Sequence, residues 1–105
     1  MSDAINLAEK PASFDQKWPP RTVATFNGHD VMVVKVEGEF RWHSHPDTDD
    51  FFLVLQGEIE IRLRDRVVSL KAGEMFVVPK GVEHCPVARK EAHLLLIEPT
   101  GPPNT

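Results

Sequence analysis

Cysteine is almost absent: Cys85 is the only one in 105 residues. No intrachain disulfide can form, and nothing in the thiol count asks for an oxidising compartment. Long hydrophobic runs are missing too. The longest, 51–55 and 94–97, fall far short of the roughly 18–20 apolar residues that a membrane-crossing helix needs. There is no surplus of positive charge: 12 Lys and Arg stand against 16 Asp and Glu, for a formal net charge of −4. The cations are scattered, so no basic stripe invites nucleic acid. Residues 1–6 carry neither a basic nor an apolar leader segment. The expectation is a cytoplasmic protein with no nucleic-acid or membrane partner. Internal repeats, heptads and low-complexity blocks are absent as well.

What is present is an ordinary globular balance, 41% hydrophobic and 27% charged, enough for one small core. Residues 1–20 read as an N-terminal arm. A helical turn within 6–14 is cut short by Pro11, and Pro19 and Pro20 are extended. From Arg21 the pattern changes to short β-type runs, predicted at 22–26, 30–36, 39–43, 51–56, 58–63, 67–70, 75–78, 84–87 and 93–98. Turn signals fall at Asn27-Gly28, Gly38, Gly57, Arg64-Asp65 and Ala72-Gly73. Residues 21–98 form the predicted domain, and 99–105, rich in proline, form a tail. In Glu58–Leu63, Ile59, Ile61 and Leu63 share one face while Glu58, Glu60 and Arg62 share the other, which is a half-buried antiparallel strand. The run 51–55 is apolar on both faces and must be covered twice. Many short strands without a long helix indicate an all-β, closed architecture.

Of five histidines, His43 and His45 stand two apart at the end of a predicted strand. Period-two geometry puts both imidazoles on one face, close enough to share an ion. Alone, the pair is a half-site.

Its surroundings add to it. The segment from Trp42 to Gly57, with His43, His45, Asp50 and Gly57, resembles the first motif of the cupin superfamily, G-x5-H-x-H-x3,4-E-x6-G. The segment from Gly73 to His84, with Pro79 and Gly81, resembles the second, G-x5-P-x-G-x2-H-x3-N. The whole is similar to small stand-alone (cupin-2 type) cupins likened to the metal domain of phosphomannose isomerases. The resemblance implies a jelly-roll barrel, or double-stranded β-helix, holding one divalent metal ion on His43, His45 and His84. Asp50, standing where the family most often has Glu, is the implied fourth ligand. Fe, Mn, Zn, Ni, Co and Cu are not distinguished. Asp reaches roughly 1.5 Å less far than Glu, so Asp50 either ligates the ion or acts through a hydrogen bond behind it. Asp49 alternates to the opposite face. The spacing from Gly38 to His43 is one residue short of the motif, and Ala88 replaces its closing Asn.

Arg41, Gln56 and His93 are the predicted substrate-lining side chains. Cys85 is read as a small buried hydrophobe, Trp42 and Ser44 as facing away from the ligands, and His29 as a solvated turn residue. The resemblance points to a metalloenzyme acting on a small polar molecule, of isomerase, lyase or dioxygenase type. A non-catalytic module that binds or senses a metabolite or metal is the alternative. No cluster of Lys and Arg awaits a phosphate. The doubly apolar strand and the arm together lead us to expect a homodimer.

Overall fold

Glu58–Leu63 shows how the chain becomes a sheet. Its alternating apolar residues Ile59, Ile61 and Leu63 are buried while the residues between them are not. The computed structural model describes residues 3–101, and its strands are β1 (Arg21–Phe26), β2 (His29–Glu39), β3 (Asp50–Gln56), β4 (Glu58–Leu63), β5 (Val67–Lys71), β6 (Met75–Val78) and β7 (His84–Pro99). A short 3-10 turn, Lys10–Ser13, lies in the arm with Pro11 buried at its start. Every pairing is antiparallel. The order is β1-β2-β7-β3-β6, and β4 joins β5 to the first part of β7. The all-β cupin jelly roll expected from the sequence is the fold found. Among the described residues no helix is long and apolar enough to cross a membrane.

Three expected boundaries are corrected. The strands expected at 84–87 and 93–98 are one 16-residue strand. Its first part pairs with β4, and its remainder runs between β2 and β3. Ala88 and Ala92 inside it are fully buried; small side chains there let one strand pass from one sheet layer to the other. The strand expected at 39–43 does not form. Gly38 sits in a bulge of β2, at a register shift between Val36 and Gly38, and the bulge bends the strand without reversing it. The ladder also carries Pro99, paired with His29, so β7 extends one residue into the expected tail; residues 102–105 lie outside the described part.

Register sorts the side chains into two faces. Phe52, Leu96 and Met32 sit side by side across three strands and face inward, with Asp50, Val54, Leu94, Val34 and Val36 on the same side. Leu53, Leu95 and Val33 make the neighbouring row on the outer side. There Phe14 from the arm is buried with Val33 and Leu95, and Leu7 packs on the same cluster. Part of the second cover that 51–55 requires is therefore the chain's own arm.

Candidate metal centre

Main-chain hydrogen bonds join the two motif segments. His43 N–H donates to His84 O at 3.0 Å, and His84 N–H returns a bond to His43 O at 2.9 Å. Gly81 N–H donates to His45 O at 2.7 Å, and Lys80 N–H to Asp49 Oδ1 at 2.9 Å. The loop after β2 is thus held against the turn before β7, and Asp49 serves that clamp rather than the centre. Asp50 opens β3 on its inward face.

These constraints bring His43, His45, Asp50 and His84 together, one donor atom of each lying within 4.8 Å of all the others. His45, Asp50 and His84 are buried, the last only 1% exposed, and His43 is half-buried. Asp50 Oδ2 lies 2.8 Å from His84 Nε2 and 3.1 Å from His45 Nε2. Asp therefore reaches the cluster despite its shorter side chain.

The outer nitrogens fix the chemistry of the inner ones. His43 Nδ1 lies 2.9 Å from Arg41 O, and His84 Nδ1 2.9 Å from Val82 O. A carbonyl only accepts, so both Nδ1 atoms carry the proton and both Nε2 atoms are left for the centre. His84 Nε2 then faces a carboxylate oxygen, acceptor against acceptor, unless a cation stands between them. That cation is a second proton or a metal ion. The set of borderline nitrogens and one hard oxygen suits divalent transition metals. Burial lowers the pKa of His43 below its ordinary value, only partly offset by the bond to Arg41 O. Burial pulls His84 the same way, but its bonds to Asp50 and Val82 and the Asp50 charge outweigh it and leave the pKa raised.

His43, His45 and Asp50 open onto a cavity of about 410 Å³ walled by Trp18, Phe40, Met32, Phe52, Leu94 and Leu96, with Asp30 and Glu98 among its few polar residues. None of the three expected lining residues belongs to it. Arg41 is exposed with its guanidinium over the Phe40 ring. A register shift between Val54 and Gln56 turns Gln56 out and pairs it with His93. His93 shares the outer parity of Leu95 and bonds Glu91 at 2.8 Å. Trp42 lies 3.8 Å from the Arg64 guanidinium, and Cys85 is fully buried.

Among the wall residues not expected from the sequence are Glu98, Asp30, Phe40 and Trp18. Glu98 and Asp30, neighbours across β7 and β2, share the inward parity of Leu96 and Met32; extending that alternation by one step finds them. Burial raises the Glu98 carboxyl, with the Asp50 and Asp30 charges adding to it. Phe40 follows β2 directly. Trp18 gave no periodic signal because it belongs to the arm.

A family model described as "Cupin domain" matches residues 30–98. The chain belongs to the cupin family. A solved structure of a cupin-2 domain containing protein from Shewanella frigidimarina superposes with a TM-score of 0.88 at 49% identity, covering 90% of this chain and 93% of that one. The uncharacterized protein YdbB of Bacillus subtilis is 35% identical over 85 residues, 80% of this cupin and 75% of that protein. A 3-hydroxyanthranilate 3,4-dioxygenase of Brucella anthropi is 29% identical over 96 residues. This cupin spans only 52% of that dioxygenase's length.

Proposed function

We propose that this cupin is a metal-dependent enzyme that holds one divalent ion on His43, His45, Asp50 and His84 and carries out dioxygenase chemistry on a small molecule. The observation that carries the reading is the convergence of three imidazoles and a carboxylate at the wall of a mainly apolar cavity. Three histidines and one carboxylate leave two positions of a six-coordinate shell for substrate. The ion supplies Lewis acidity and, as Fe(II), a redox partner for dioxygen. The chain does the rest. Arg41 O and Val82 O fix the rings of His43 and His84 so that each neutral ring presents the lone pair of Nε2 toward the centre, and Phe52, Leu94 and Leu96 keep water from the reacting face. Both atoms of O2 enter the product, so no outside reductant is required. Similarity to the Brucella dioxygenase supports this class. An isomerase working on a phosphorylated sugar fits poorly, because among the described residues no Lys or Arg lines the cavity.

Protein purified without chelator should contain about one transition-metal ion per chain by elemental analysis, given four convergent donors. Reloaded anaerobically with Fe(II), it should consume oxygen in proportion to an added aromatic diol. Tight metal binding and diol binding without oxygen uptake under any metal would favour the binding-module alternative.

We further propose a homodimer formed through the outer sheet face. Val77, Phe51, Ile97 and Val31 form one apolar row there, and Met75, Leu53, Leu95 and Val33 the next. Met75 and Val77 are 50% and 38% exposed. The arm covers the Val33 and Leu95 end of these rows, and the Met75 and Val77 end is left for two copies to meet about a twofold axis. Light scattering should give the mass of two chains, and Met75→Lys with Val77→Lys should give one chain with metal content unchanged. A wild-type monomer at micromolar concentration would refute the dimer.

A further inference from the structure

Trp18 is held where a bulky residue does not ordinarily go. Its φ is +84°, in the left-handed region that favours glycine. Two donated hydrogen bonds hold it there, from its N–H to Lys35 O at 2.7 Å and from its indole Nε1 to Glu37 O at 3.1 Å. The consequence is an indole in the cavity wall. It stacks on Phe40 with centroids 4.8 Å apart and planes 26° from parallel. Phe40 in turn meets the His43 ring edge-on at 5.3 Å. An aromatic wall therefore leads from the arm to the metal ligands.

The remaining wall narrows the occupant. Met32, Val34, Phe52, Leu94 and Leu96 offer no hydrogen bonds, and Thr22, Asp30 and Glu98 are too few to serve hydroxyls all round a polyol ring, which would lose more water than it gains in partners. A flat ring with oxygen donors along one edge matches instead, its edge at the ligands and its face on the wall. Among the described residues, the only charged side chains in the wall apart from the metal-centre residues are Asp30 and Glu98, which oppose a second anionic substituent.

We infer that the site takes a small aromatic diol that is uncharged in solution, laid against the indole of Trp18, and that Trp18 is the residue that selects it. The inference rests on the metal-site reading above. Trp18 acts on affinity and ring preference; it does not hold the ion.

The test uses Zn(II)-loaded protein, in which no turnover consumes the probe. In a Trp42→Phe background Trp18 is the sole tryptophan, because the sequence has two. Catechol should quench its fluorescence saturably. Trp18→Leu should weaken catechol binding, followed by calorimetry, about five- to tenfold, and Trp18→Phe should restore most of the loss. Zinc affinity should be the same in all three proteins. 3,4-Dihydroxybenzoate, which keeps the diol and adds a carboxylate, should bind about tenfold more weakly than catechol. An unchanged catechol Kd in Trp18→Leu, or no quenching of Trp18 at saturation, would overturn the role of the indole. Equal affinity for the carboxylated diol would overturn the charge preference. Failure to take up zinc would instead overturn the metal reading, and the inference with it. If Trp18→Leu does not fold, quenching and the Trp18→Phe protein decide the matter.

Discussion

His84→Ala should yield a protein with less than a tenth of the wild-type metal content and an affinity lower by more than about 100-fold. Altering a group that merely orients a ligand already costs about 10–100-fold, and this change removes a ligand outright. Elemental analysis and a competition titration with a chromophoric chelator would measure it. The metal-free protein should lose stability as well. His84 is the nearest partner of the buried Asp50, and taking one member from a buried pair typically costs about 3–5 kcal/mol. A variant that keeps its full metal content would remove His84 from the centre.

Acid should act on the same residue reversibly. Protons and the ion compete for Nε2, and His84 in the metal-free chain has a raised pKa. Metal affinity should therefore fall as the pH drops, and the fall should begin at a higher pH than for an imidazole of ordinary pKa. His43, with its lowered pKa, resists protonation and contributes only at lower pH. In the metal-free protein the raised His84 stabilises the fold below the unfolded pKa, an effect lost as pH rises through the folded value. The lowered His43 has the opposite sign, so pH-dependent metal content is the cleaner readout.

Gly57→Ala should destabilise the protein by about 3 kcal/mol, from two costs that add. The φ of Gly57 is +87°, and a left-handed conformation costs a residue with a Cβ about 1–2 kcal/mol. The new Cβ would also stand 3.0 Å from Ala92 Cβ and 3.2 Å from both Ala92 Cα and Glu91 O. Overpacking against backbone adds about 1–3 kcal/mol. For a chain of this size the melting temperature should drop by more than about 10 °C. Gly73→Ala is the internal control. Gly73 has a φ of +88° with nothing within 4 Å of the added Cβ, so it should show only the first cost. Equal shifts in the two variants would mean that the contact with β7 does not matter.

The parts of this molecule legible in its sequence are those written in short periods. Alternation located Glu58–Leu63 and set the inward face of β3, and spaced glycines and prolines marked the turns around the ligands. Resemblance then joined His84 to His43 and His45, which no local pattern could do, because His84 stands 41 positions after His43 and 39 after His45. Illegible were features decided by neighbours distant in sequence. The bulge at Gly38 looks like a hairpin glycine until β7 is laid beside it. Gln56 has the inward parity of Phe52 and Val54 and loses it to a register shift. Trp18 enters the wall from an irregular segment whose course is set by carbonyls of β2. In each case the deciding partner lies outside the window in which periodicity can be read.

One element carries a consequence for biosynthesis. β7 bonds to β2, β3 and β4, so without it those three strands share almost no edges. During translation the pairs β1–β2, β3–β6 and β4–β5 emerge before the strand that joins them. The chain cannot close until the region through Pro99 has cleared the ribosome, and closure then joins partners far apart in sequence, a slow topology. A nascent chain stalled before His84 would expose sticky strands and would need chaperone protection. Once the last strand docks, one cooperative event completes the sheet and seats the fourth ligand.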